Sequence, residues 1–244
     1  MFNGFPEATE QFFLELKFHN DQTFFHANHD RYVESVQKPF YSFIDDLMPT
    51  LLEIDPRMEP QPHKSLARIH RDTRFTKDKS PYRDHLWAFF HPAAEEKHGC
   101  IGFWFEYGVQ RLNWGLGTWG ENRLLMDRMR MELEAKPSYY MGLIDSCCLP
   151  SRHLTFMART FKRMPIPAQI PERLKDWYAA RELFITQTYP DMREAASRAI
   201  LTHVADDFRA CAPVYHMYRG MLDRLMEEEA LLVQKENPRR DEWD

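Results

Sequence analysis

Between residues 68 and 83 the chain reads Arg-Ile-His-Arg-Asp-Thr-Arg-Phe-Thr-Lys-Asp-Lys-Ser-Pro-Tyr-Arg, six cations against two carboxylates, Asp72 and Asp78, in a protein whose net charge is −5. A local positive field on an acidic background attracts anions. Guanidinium forks match phosphate and carboxylate oxygens two at a time, so Arg68, Arg71 and Arg74 are candidate clamps, while Lys79 adds a point charge and Tyr82 a hydroxyl. Asp72 and Asp78 are the candidate bases or metal anchors, although a carboxylate beside several cations has a depressed pKa and makes a poor base. The window holds no nucleophile paired with a base, no glycine loop for a phosphate and no metal-ligand spacing. It points to a site and names neither a reaction nor a cofactor.

Three accounts of this window compete. An enzyme acting on a phosphorylated or otherwise anionic small molecule would use the arginines as clamps. A non-catalytic module for nucleic acid or a phospholigand would add stacking on Phe75, Tyr82 and Trp87; the pI near 6.1 argues against a broad nucleic-acid surface, which is usually basic throughout. A purely structural network would pair Asp72 and Asp78 with some of the cations, but two carboxylates cannot neutralise six, so the remainder must be exposed or await a ligand.

The order Arg68-x-x-Arg71-Asp72-x-Arg74-Phe75-x-x-Asp78-Lys79-x-x-Tyr82 resembles the defining motif of a bacterial protein family, domain of unknown function 2461. Asn20, Phe25, Asn28 and Tyr32 resemble the family's N-terminal pattern, and Lys162-Arg163-x-Pro165 with Trp177-Tyr178 its C-terminal part. The family has no assigned activity. The resemblance therefore implies a fold and a site, and no substrate.

The elements that must position this window follow from periodicity. A helix is expected over residues 7–19, and Asn20 or Asp21 can cap the next, in which Phe25, Asn28, Tyr32 and Val36 share a face. Asn28 is then a polar group within an aromatic stripe, bonded to nearby backbone or turned towards a site. His26 and His29 stand one turn apart with no third ligand evident, and solvated helix histidines are the simpler account. The most regular stripe, Phe40, Phe43, Ile44, Leu47, Met48, Leu51 and Leu52, predicts a third helix that Pro49 should kink or break. Pro56, Pro60 and Pro62 predict an extended linker. Residues 66–71 read as a strand followed by a loop, with a helical face through Arg68, Arg71, Asp72, Phe75 and Asp78 as the rival; on a strand, Arg68, Arg71 and Arg74 converge only if the backbone turns at Asp72.

Residues 85–90, 99–107 and 112–119 predict further strands, the last two joined as a hairpin by a Tyr-Gly turn. Gly115, Gly117 and Gly120 mark close backbone approach rather than a phosphate loop, since no Lys-Ser/Thr follows them. Beyond Gly120 the pattern is helical, with Leu125, Met129 and Leu133 on one stripe. Prolines punctuate residues 150–171, where Lys162-Arg163 reads as a solvated turn. A helix is expected through Leu174, Trp177, Tyr178 and Phe184, and a last long one through Val214, Met217, Tyr218, Met221, Leu222 and Leu225.

The whole predicts one α+β domain over residues 1–244, with N-terminal helices (1–56), a motif and central antiparallel sheet (65–120), C-terminal helices (121–236) and a charged tail (237–244). At 43% apolar and 14% aromatic residues the chain has ample core material. No apolar run nears the roughly 20 residues a membrane helix needs, and the N-terminus lacks a secretion-signal pattern, so a cytoplasmic protein without a membrane partner is expected. Cys100, Cys147, Cys148 and Cys211 show no ligand spacing and read as small buried residues.

Overall fold

A computed structural model describes residues 1–74 and 77–236, with side chains to residue 229. Its architecture is α+β. The N-terminal helices are α1 (Glu7–Phe18), α2 (Gln22–Ala27), α3 (His29–Tyr32) and, after a π-helical turn at Val33–Gln37, α4 (Lys38–Ile54). A single turn, α5 (Pro62–Ser65), precedes strands β1 (His85–Phe90), β2 (Ile101–Gly108) and β3 (Arg111–Thr118). Helices α6 (Arg123–Ala135) and α7 (Pro137–Ser146), strand β4 (Leu154–Thr160), the short α8 (Lys175–Ala179), strand β5 (Ala180–Gln187) and the long α9 (Ala199–Glu236) complete it.

The five strands form one antiparallel sheet in the order β1-β2-β3-β5-β4. Side chains on a strand alternate between faces. One face therefore carries Leu86, Phe103, Phe105, Trp114, Leu116, Leu183 and Ile185, all buried, against α4 and α9. Phe43 of α4 packs on Phe105 with ring centroids 4.3 Å apart, and Phe208 of α9 on Phe103 at 4.6 Å. The indole N–H of Trp114 donates to buried Asp207 on α9 at 2.8 Å, and that carboxylate also accepts from Arg152 at 3.0 Å, so the sheet's polar contact with α9 is satisfied.

The stripe expected of α4 forms: Phe43, Leu47 and Leu51 are fully buried. Pro49 does not break it. The helix runs on to Ile54 because Pro49 and Asp45, whose carbonyl loses its partner, both sit on the exposed side where water can take the vacant bond. The single helix expected from Phe25 to Val36 is interrupted at Asn28, yet Phe25, Tyr32 and Val36 are all buried.

Two expectations for the C-terminal half are corrected. The sheet is not confined to residues 65–120, for β4 and β5 add two strands from beyond them. Phe184, read as part of a helix with Trp177 and Tyr178, lies on β5; the helix ends at Ala179, whose successor Ala180 is already extended. The stretch around Pro60 is likewise not purely extended, since Pro62 opens α5. Cys148 is exposed, unlike the other three cysteines. The tail from Asn237 lies outside the described residues.

Candidate anion site

Residues 66–71 run extended beside β1 and the segment before it, bridging at Leu66↔Ala88 and His70↔Tyr82 without becoming a regular strand. Ala67 N–H donates to the Trp87 carbonyl at 2.8 Å, Arg83 N–H to Ile69 at 2.9 Å, and Arg71 N–H to Pro81 at 2.8 Å. The motif is thus a two-legged arm, and no helix forms among the described residues between 66 and 83. Leu66 and Ile69 turn into the core, which puts Arg68 and His70 outward.

Tyr82 fixes the arm to the N-terminal helices. Its ring is buried, stacked on Phe25 at 4.2 Å, so its hydroxyl is not the surface donor that the sequence suggested and burial raises its pKa. Its backbone is gripped at both ends by one side chain: the Asn20 amide donates to the Tyr82 carbonyl at 3.0 Å and accepts from the Tyr82 N–H at 2.9 Å. Asp21 is left to cap α2, accepting from Phe24 N–H at 2.8 Å. Asn28 lies away from these contacts, its amide donating to the Phe24 carbonyl at 2.9 Å and its oxygen accepting from Arg31 at 3.1 Å. His26 and His29 are exposed on the same short helices.

In the loop, Asp72 takes both prongs of Arg74, at 3.0 and 2.7 Å, and its backbone N–H at 3.1 Å. These bonds hold the Asp72 carboxyl down at about 2. Asp78 accepts from the Ser80 hydroxyl at 2.6 Å and N–H at 2.9 Å and pairs with Arg71 across the loop; the Ser80 bonds, and to a lesser extent the Arg71 charge, lower its pKa against the opposing effect of burial. Neither carboxylate is a useful base near neutral pH. Lys79 donates to the Thr73 carbonyl at 2.7 Å. Phe75 lies outside the described residues.

Arg83 was only one of six cations in the sequence. In the structure it is the joint: its guanidinium donates to the carbonyls of Arg68, at 2.8 Å, and His70, and lies 4.4 Å from the centre of the Trp87 ring. Burial and then the Arg71 charge lower its pKa, with Asp72 acting in the opposite sense. Arg71 Nε is buried with no partner among the described residues. Arg68 and Lys77 are exposed, and their side chains meet no carboxylate there.

Beyond Trp87 lies a cavity of about 280 Å³ on the sheet face turned away from α4 and α9, lined by Trp87, Phe89, Trp104, Trp119, Phe184 and Glu106. Sequence reasoning missed it. The available signal was that β1 and β2 carry aromatic residues on both faces, where a sheet with one covered face should alternate with polar residues.

Among the described residues no helix is long and apolar enough to cross a membrane and no group of three or more His, Cys, Asp or Glu could hold a metal. No curated protein and no solved structure matches the chain. The model of a family described as "Conserved hypothetical protein (DUF2461)" matches residues 8–217. That span includes the arm, its Asn20 clamp and the whole sheet, and the chain belongs to this family, a domain of unknown function.

Proposed function

We propose that the chain binds a phosphate- or carboxylate-bearing small molecule on the arm, with Arg68, Arg71 and Arg83 as clamps and Lys77 and Lys79 adding charge. The observation that carries this reading is the distribution of carboxylates. Asp72 and Asp78 are engaged by Arg74 and Arg71, while Arg68, Lys77, Lys79 and Arg83 meet no carboxylate among the described residues. The Arg71 charge disfavours the charged form of Arg83, an effect that Asp72 only partly offsets, and an oxyanion relieves that repulsion through charge-assisted hydrogen bonds. Arg74, its fork filled by Asp72, frames the loop. With both carboxylates held ionised by their partners, the arm is suited to holding an anion rather than to moving protons.

A thermal-shift series with phosphate and sulfate at fixed ionic strength tests this, since salt alone screens repulsion. Binding to the folded state raises stability by about 2.7 kcal/mol at a hundredfold excess over Kd. Arg68→Gln should fold normally and show a smaller rise. A melting temperature independent of either anion in the unaltered protein would overturn the proposal.

A further inference from the structure

The aromatic cavity and the cationic arm meet at Arg83, whose guanidinium covers one face of the Trp87 ring while Trp87 lines the cavity. Trp87 and Trp119 lie at 28° with centroids 6.4 Å apart, and Phe89 approaches Trp119 at 5.1 Å. The rings rest directly on the sheet: a Cβ on Gly102 would come within 2.7 Å of Phe89, and one on Gly117 within 2.6 Å of Phe184. At Gly117 the Phe184 ring is the nearest obstacle to a side chain, and at Gly102 the Phe90 carbonyl oxygen, 2.3 Å from such a Cβ, excludes one together with the Phe89 ring.

On this geometry, and resting on the anion-binding reading above, we infer that the ligand is a nucleoside phosphate, with its base in the cavity and its phosphate on the arm. Three properties choose this occupant. The volume, just below the 300–1,000 Å³ of sites for drug-sized ligands, suits one ring system and excludes an extended chain. Walls of indole and phenyl rings suit the π-face of a planar ring, while a free sugar would need many polar partners and finds few among the described lining residues, chiefly Glu106, Thr118 and the Trp104 indole N–H. Glu106, held by His85 at 3.3 Å and Arg111 at 3.1 Å, is an acceptor at the wall for a ring N–H or amino group. The indole N–H of Trp104 is buried without a partner among the described residues, a further donor beside the same cavity.

The test is calorimetric titration of the unaltered protein with purine and pyrimidine nucleoside monophosphates, the matching nucleosides, ribose 5-phosphate and inorganic phosphate, with tryptophan emission followed in parallel. At least one monophosphate should bind roughly tenfold or more tighter than ribose 5-phosphate, the return expected from stacking one base, and should quench tryptophan emission where phosphate does not. Trp119→Ala should remove the advantage and Trp119→Phe restore part of it; base-dependent quenching in the unaltered protein gives the answer independently if Trp119→Ala fails to fold. Equal affinity for monophosphate and ribose 5-phosphate, without quenching, overturns the inference and leaves the anion site standing. Nucleosides binding as tightly as monophosphates, with Arg68→Gln without effect, overturn the anion reading and the inference with it.

Discussion

Replacing Asn20 by Ala removes both hydrogen bonds that tie the arm to the N-terminal helices. The Tyr82 N–H and carbonyl lose partners at 2.9 and 3.0 Å, and the ring they carry is buried against Phe25. A buried backbone group left unpaired costs about 1–3 kcal/mol. Asn20 itself is partly exposed, so water can take up some of the loss, and the two bonds together should be worth about 2 kcal/mol. For a chain of this length that corresponds to a fall in melting temperature of roughly 4–8 °C. Urea unfolding should show a lower midpoint with an unchanged m-value, since the same surface is exposed on unfolding. Phosphate affinity should fall as well, because the clamp holds Arg71 and Arg83 at a common end of the arm. A loss below about 0.5 kcal/mol, the scatter of ordinary surface substitutions, would refute the assignment of Asn20 as the arm's anchor.

Arg74→Gln breaks an exposed ion pair and should leave the melting temperature nearly unchanged, which a thermal scan in anion-free buffer checks. Truncating Phe43, Leu47 or Leu51 to Ala should each cost roughly 2–5 kcal/mol by denaturant unfolding. Tyr215→Phe removes the hydroxyl that donates to buried Asp55 at 2.7 Å and should cost about 1–3 kcal/mol in the same assay. The Asp55 carboxyl is pushed up by burial but held below its ordinary range by Arg57 and Tyr215. Its contribution is therefore present above the unfolded value of about 3.9 and lost as pH falls through the folded value, so Asp55→Asn should show a flatter loss of stability below about pH 4 than the unaltered protein.

The sequence announced α4, the β2–β3 hairpin and the charged arm plainly, because each rests on local pattern: a regular stripe, alternating β-formers and a dense run of cations. Phe43, Leu47 and Leu51 needed no tertiary information to be placed in the core. The β4–β5 pair was harder to see, since Leu154–Thr160 is an edge strand among prolines and Leu174, Trp177 and Tyr178 carried a helical rhythm into β5. In the site, residue types were legible and their partners were not. Asn20, a plausible helix cap, spends its amide on a backbone sixty-two residues away. Tyr82, plausible as a surface hydroxyl, is a core ring, and Arg83 becomes the joint between arm and cavity only when β1 brings Trp87 beneath it. Such pairings depend on long-range register, which no local pattern encodes.

The central claim is that the arm holds an anion, and calorimetric titration of inorganic phosphate into the unaltered protein and into Arg68→Gln/Arg71→Gln, at one fixed ionic strength, tests it most directly. One saturable site in the unaltered protein, lost in the double variant while its fold persists by circular dichroism, is the predicted result; no saturable binding, or equal binding to both proteins, would contradict it.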